Sequence, residues 1–168
     1  MKSLYFVLII LIISCAPNAS VEFGFNDGAL INGTFGDLII QVTKIEALQG
    51  KDFIEVWRGN TQVAVSVNDD NYQSITNGYI PITPGNYKKV RLTIDSLIYK
   101  IDNTSIVLVD TLYQFIADAF TPILIEENQD YRLVISIASS NLFSPDSQRI
   151  KTGHKPFEGA SLKIYYYQ

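Results

Sequence analysis

One cysteine, one histidine, one tryptophan and one methionine occur in 168 residues. With a single cysteine, Cys15, the chain has no internal disulfide and no thiolate-rich metal site. The single histidine, His154, lies in Thr152-Gly153-His154-Lys155-Pro156, a loop-like string. A Ser/His/Asp arrangement would depend on that one residue, so a surface histidine is the expectation. Basic residues are few: 13 Lys and Arg against 17 Asp and Glu give a net charge of −4. No basic stripe is present to follow a phosphate backbone, which argues against a nucleic-acid partner. There is no Gly-rich phosphate loop and no internal repeat. Asp69-Asp70-Asn71 and Asp102-Asn103 carry oxygens that suit calcium, but not at the spacing of a calcium loop, and both strings form ordinary turns. Glu126 and Glu127 are adjacent, so on a strand they would point to opposite faces and could not flank a glycosidic bond. The expectation is no metal, no cofactor and no catalytic site.

What is present is concentrated at the start. Met1-Lys2-Ser3 precedes the apolar run Leu4–Ile13, which ends at Ser14 and Cys15. A run of about 10 to 14 apolar residues suits the core of a signal peptide and falls short of a spanning helix. Ile12-Ile13-Ser14-Cys15 resembles a bacterial lipobox, in which the cysteine is acylated and becomes the new N-terminus. The resemblance implies a signal peptide over 1–14, a lipid on Cys15 and a cell-envelope address. Ala16, where an aspartate would favour inner-membrane retention, points to the outer membrane. A plain secretory cut near Ala16 or Ala19, or an uncleaved anchor, is the alternative. Several acyl chains at about 0.8 kcal/mol per buried methylene anchor a protein stably.

Residues 15–36 are rich in Asn, Gly and Ser and read as a flexible lipidated tether. From Asp37 the pattern becomes short strands divided by turn residues. Leu38, Ile40 and Val42 share one face, and Val63, Val65 and Val67 another. Phe53–Trp57 and Thr61–Val67 flank Arg58-Gly59-Asn60 and read as a hairpin. Pro81 marks Gly78–Ile82 as an edge strand, and Thr83-Pro84-Gly85-Asn86 has the form of a type II turn. Tyr87–Lys100 is the strongest strand. Leu112–Phe120 suggests a short helix or a loop with a helical turn. Pro122–Glu126 and Tyr131–Ala138 are strands, 139–159 is a long polar loop, and Ala160–Tyr167 closes the chain. Eight or nine short strands with little helix predict an all-β, antiparallel, Ig-like or transthyretin-like β-sandwich over 37–168.

The string Ile82-Thr83-Pro84-Gly85-Asn86-Tyr87-Lys88-Lys89-Val90-Arg91-Leu92-Thr93-Ile94 resembles the uncharacterised lipoprotein family called "domain of unknown function 4382". It is also similar to transthyretin-like and carboxypeptidase-regulatory-like sandwiches. The resemblance spans about Gly36 to Ser140 and implies an exported β-sandwich without a known activity. The chain departs from the family in lacking an acidic residue at Val134-Ile135-Ser136-Ile137 and in carrying the 139–159 insertion.

Aromatic residues remain as candidate contacts. Trp57, Tyr165 and Tyr167 form the candidate interaction surface, because alternation along Tyr165-Tyr166-Tyr167 must turn at least one ring outward. The terminal strand is the preferred edge for strand addition. These features point to a non-enzymatic lipoprotein that binds a protein or glycan at the cell envelope. The alternative is a structural or accessory subunit of a periplasmic or outer-membrane complex.

Overall fold

The computed structural model describes residues 18–28, 35–143, 150, 151, 153 and 155–165. Ten strands form in chain order: β1 (Ala19–Asp27), β2 (Asp37–Gln49), β3 (Asp52–Ser66), β4 (Gln73–Ser74), β5 (Ile80–Ile82), β6 (Gly85–Ile101), β7 (Thr104–Val109), β8 (Tyr113–Ile125), β9 (Asp130–Ile137) and β10 (Ser161–Ile164). A short 3-10 turn covers Ser139–Asn141. The all-β class follows from the wealth of Ile, Val, Tyr, Phe and Thr, which fit a pleated, half-buried surface.

The strands form one sheet in the order β3-β2-β6-β8-β10-β9-β1-β4, with β5 added to β1 and β7 to β6. The sheet is mixed rather than wholly antiparallel: β1 runs parallel to β9 and β10 parallel to β8. Its two ends curl toward each other and nearly close a barrel. Asp27 N donates to Asp69 O at 2.8 Å, joining β1 to the loop that leaves β3. Inward residues of both halves meet in one core, including Phe23, Phe25, Leu38, Ile40, Ile45, Leu92, Ile94 and Leu133, all fully buried. Residues after β9 return to pack on that core. The Phe143 ring meets Tyr99 edge-on at 4.9 Å, and Phe157 stacks on Phe115 at 4.1 Å.

Four expectations are corrected. The stretch read as a tether contains β1, whose side chains Val21, Phe23 and Phe25 are wholly buried. It pairs with β9 from Ser20 through Asp27. Arg58-Gly59-Asn60 does not reverse the chain: β3 runs through it and pairs with β2 on both sides. The register shift between Val42 and Lys44 absorbs the irregularity there, as a β-bulge does. Leu112–Phe120 is no helix, since β8 buries Phe115, Ala117 and Ala119 while exposing the residues between them. Finally, β10 is not an edge, because it pairs with β9 along its length and meets β8 at Ser161. Pro81 does lie in a strand at the margin, bonded only to β1 among the described strands.

Candidate interaction surface

Two ladders of the sheet carry the same polar device on their outer faces. Glu22 of β1 lies directly opposite Arg132 of β9. Its carboxylate accepts from Arg132 Nε at 2.6 Å and from Ser74 Oγ at 2.8 Å. Glu46 of β2 lies opposite Arg91 of β6 and accepts from its Nε and Nη2, each at 2.8 Å. Lys44 Nζ approaches the same carboxylate at 3.2 Å. An aromatic ring lies under each guanidinium: Tyr72 under Arg132 at 5.6 Å and Phe53 under Arg91 at 4.4 Å. The Arg91 hydrogen bonds hold the Glu46 carboxyl below the ordinary glutamate value, outweighing the opposing effect of burial. These pairs sit on neighbouring strands and brace the sheet.

The Tyr72 ring covers Gly24; a Cβ there would lie 2.4 Å from Tyr72 Cζ, so only glycine admits the ring. Burial first, and the nearby Glu22 carboxylate second, push the Tyr72 hydroxyl's pKa up. Among the described residues its oxygen has no hydrogen-bond partner. At the other end of β1, the Asp27 carboxylate is 1% exposed. It accepts from Asn68 N, Ser139 N and Ser139 Oγ. Asp27 thereby ties β1 to the loop after β3 and to the 3-10 turn. Asp27 carries no visible signal in the sequence, because its partners are distant in the chain. A small cavity of about 280 Å³ adjoins it, lined by Asp27, Gly28, Asn68 and Asp70. Among the described residues no group of three or more His, Cys, Asp or Glu could hold a metal. The Asp69 carboxylate accepts from Asn71 N at 2.9 Å, an ordinary Asx turn.

The residues singled out from sequence are not assembled into one surface. Trp57 is half-buried, with its indole folded over Gly59, where a Cβ would come within 2.3 Å of the ring. Tyr165 is half-buried and tilted against Tyr72 at a centroid distance of 5.0 Å. Along the sheet, β2, β6 and β8 lie between the strand of Trp57 and the strand preceding Tyr165. Cys15, His154 and Tyr167 lie outside the described residues. Glu126 and Glu127 are exposed at the end of β8.

Exposed apolar side chains occur elsewhere. The edge strand β7 pairs only with β6 among the described strands, and it shows Ile106 and Val107, the latter 59% exposed. It contains no charged residue and no proline, the usual protections of a free edge. A second set lies on β8, where Ile116, Phe120 and Leu124 all face solvent. A shallow groove of about 330 Å³ runs between the start of β8 and the turn at Pro156–Gly159, with Tyr113, Ile116 and Phe157 in its wall. No family model, curated protein or solved structure matches this chain.

Proposed function

We propose that the protein is an exported, lipid-anchored, non-enzymatic binding module of the cell envelope. Its β-domain takes a protein partner by strand addition on β7. The observation that carries the binding mode is the uncharged edge at Thr104–Val109, with Ile106 and Val107 exposed and pairing on one side only among the described strands. Along such an edge, half of the backbone N–H and C=O groups point away from the sheet. An extended segment from a partner satisfies them, and alternate side chains provide selectivity. The anchor rests on the lipobox-like string ending at Cys15. The resemblance of Ile82–Ile94 to an exported lipoprotein family of unknown activity supports the address and adds no chemistry. Within this reading the Ig-like or transthyretin-like sandwich is the nearest architectural idea, modified here by the parallel strands.

A photoreactive residue placed at Ser105 in living cells tests the mode. The expected result is a discrete protein adduct that weakens when Val107→Lys puts a charge on the edge. The opposite result is an adduct unchanged by Val107→Lys, or none on protein while the β-domain is retained on a glycan array. Either would move the site away from β7.

A further inference from the structure

The open edge does not stop at β7. β7 and β8 lie one after the other along the same side of β6: Val109 pairs with Leu97, and Tyr113 takes up the pairing at Ile94. On the side away from β6, β8 first meets another described strand at Asp118, opposite Ser161 of β10. From Tyr113 to Ala117 it therefore pairs on one side only among the described strands. The outward backbone groups there make no turn or loop hydrogen bond to a described backbone. β7 alone offers six residues, about 20 Å of edge. With the stretch to Ala117 the rail extends to about 40 Å.

The rail is apolar and nearly without charge. Nine large apolar side chains are exposed among the described residues, and four of them, Ile106, Val107, Leu112 and Ile116, lie between Thr104 and Ala117. The one charged residue in that stretch is Asp110, exposed where β7 gives way to β8. Asp95 is exposed on the part of β6 that faces this break, between Ile94 and Leu97. Two carboxylates thus mark the middle of the rail. Of the cations nearby, Lys100 lies further along β6, opposite Ser105. Lys44, opposite Thr93, is held by Glu46 at 3.2 Å. At the far end of the rail the groove of about 330 Å³ opens beside Ile116. Its other wall is held in place: the Tyr113 hydroxyl donates to Pro156 O at 3.0 Å, and Phe157 stacks on Phe115 at 4.1 Å. Lys155 and Glu158 both stand in the lining, so the groove adds no net charge.

We propose that the partner segment taken by β7 continues past it: an extended apolar chain that carries a lysine or arginine over Asp110 and Asp95 and seats an apolar side chain in the groove beside Ile116. The inference rests on the strand-addition reading above and names the chemistry of what that edge binds. Backbone pairing on β7 supplies affinity, and side chains at alternate positions supply selectivity. The carboxylates set the register, since a cation across from Asp110 stabilises the pairing and an anion there repels. The groove adds an anchor point that is formed before binding, which keeps the ordering cost low. A slip by one residue would take the cation off the carboxylates and turn the anchor to the wrong face. A second copy of the rail has no cation to offer Asp110, so the partner is a different protein.

The test uses the full chain in living cells, with a photoreactive residue at Ser105 or, separately, at Ile116. One protein, identical by mass spectrometry, should be captured at both positions. Asp110→Lys should lower both adducts about fivefold. Glu127→Lys, an equal change of charge at an exposed site just beyond β8, should leave both unchanged. Capture at 105 and not at 116, or different proteins at the two, would end the partner at β7. That overturns the longer site and leaves the strand-addition reading standing. Adducts that ignore Asp110→Lys, or that fall equally with Glu127→Lys, would overturn the basic residue. No capture at 105 removes the strand-addition reading and the longer site with it.

Discussion

Glu22 and Glu46 occupy matching places on two different ladders, and the two ladders were built in different ways. Glu46 and Arg91 face each other across antiparallel strands, 45 residues apart in the chain. Glu22 and Arg132 face each other across parallel strands, 110 residues apart. The antiparallel pair is braced by its own sheet neighbours, Lys44 and Phe53. The parallel pair needs a cover brought from elsewhere: Tyr72 and Ser74 from the segment after β3, with Tyr165 behind Tyr72. A parallel pairing between remote segments costs more chain closure than a hairpin. The Glu22–Arg132 pairing is thus the longer-range of the two, and its cover comes from a third segment of the chain.

The comparison is broken most severely by removing the inward ring of β1. Phe25→Ala should cost about 3–5 kcal/mol, the loss expected for a fully buried phenylalanine, as read by chemical denaturation. A stability change near zero would mean that β1 does not belong to the core. Next is Asp27→Ala, which leaves Asn68 N, Ser139 N and Ser139 Oγ without their acceptor. A loss of about 2–3 kcal/mol is expected from those stranded donors, and faster proteolysis after β9 should accompany it.

Gly24→Ala acts on the cover instead of the core. Its Cβ would collide with Tyr72 Cζ and Gln73 O. The ring must swing away, at about 1–3 kcal/mol. Tyrosine fluorescence should show Tyr72 becoming accessible to quencher, with the β2–β6 side unaffected.

The smallest effect is that of Glu46→Gln, about 1–2 kcal/mol at neutral pH for hydrogen bonds to a charged partner. Its pH dependence has a defined sign. Arg91 lowers the folded-state pKa of Glu46 beneath the ordinary 4.5, so the charged form is favoured by folding. The stabilisation is complete above that value and disappears as pH falls through the lower folded pKa. The difference between wild type and Glu46→Gln should therefore shrink on acidification below about 4.5. A difference that grows toward low pH would contradict the assigned role of Arg91.

The antiparallel side was largely legible in the sequence. Leu38, Ile40 and Val42 alternate cleanly, and Val90, Leu92 and Ile94 do so within a long strand. Composition alone announced the β class. The parallel side was legible only in part. Val21, Phe23 and Phe25 alternate with Glu22, Gly24 and Asn26, a period-two signal, but Asn, Gly and Ser around it give the surface of a linker. That β1 pairs with β9 in parallel is set by contacts remote in sequence, which no local pattern encodes. In β8 the alternation was disguised because Ile116 and Phe120 are apolar and yet face outward. The same disguise hid the apolar surface, since an exposed phenylalanine and a buried one look alike in a string. Trp57 is the lone tryptophan, and Gly59 two residues on gives its indole a place to fold down.

Hydrogen exchange of the β1 amides tests the central claim, that β1, Ala19–Asp27, belongs to the core of the barrel. The amides of Val21 to Phe25 should exchange as slowly as those of Leu92 and Ile94 in β6, because both strands lie in one cooperative core. Exchange of the β1 amides at the rate of an open chain, with β6 still protected, would contradict it. The segment would then be a tether after all.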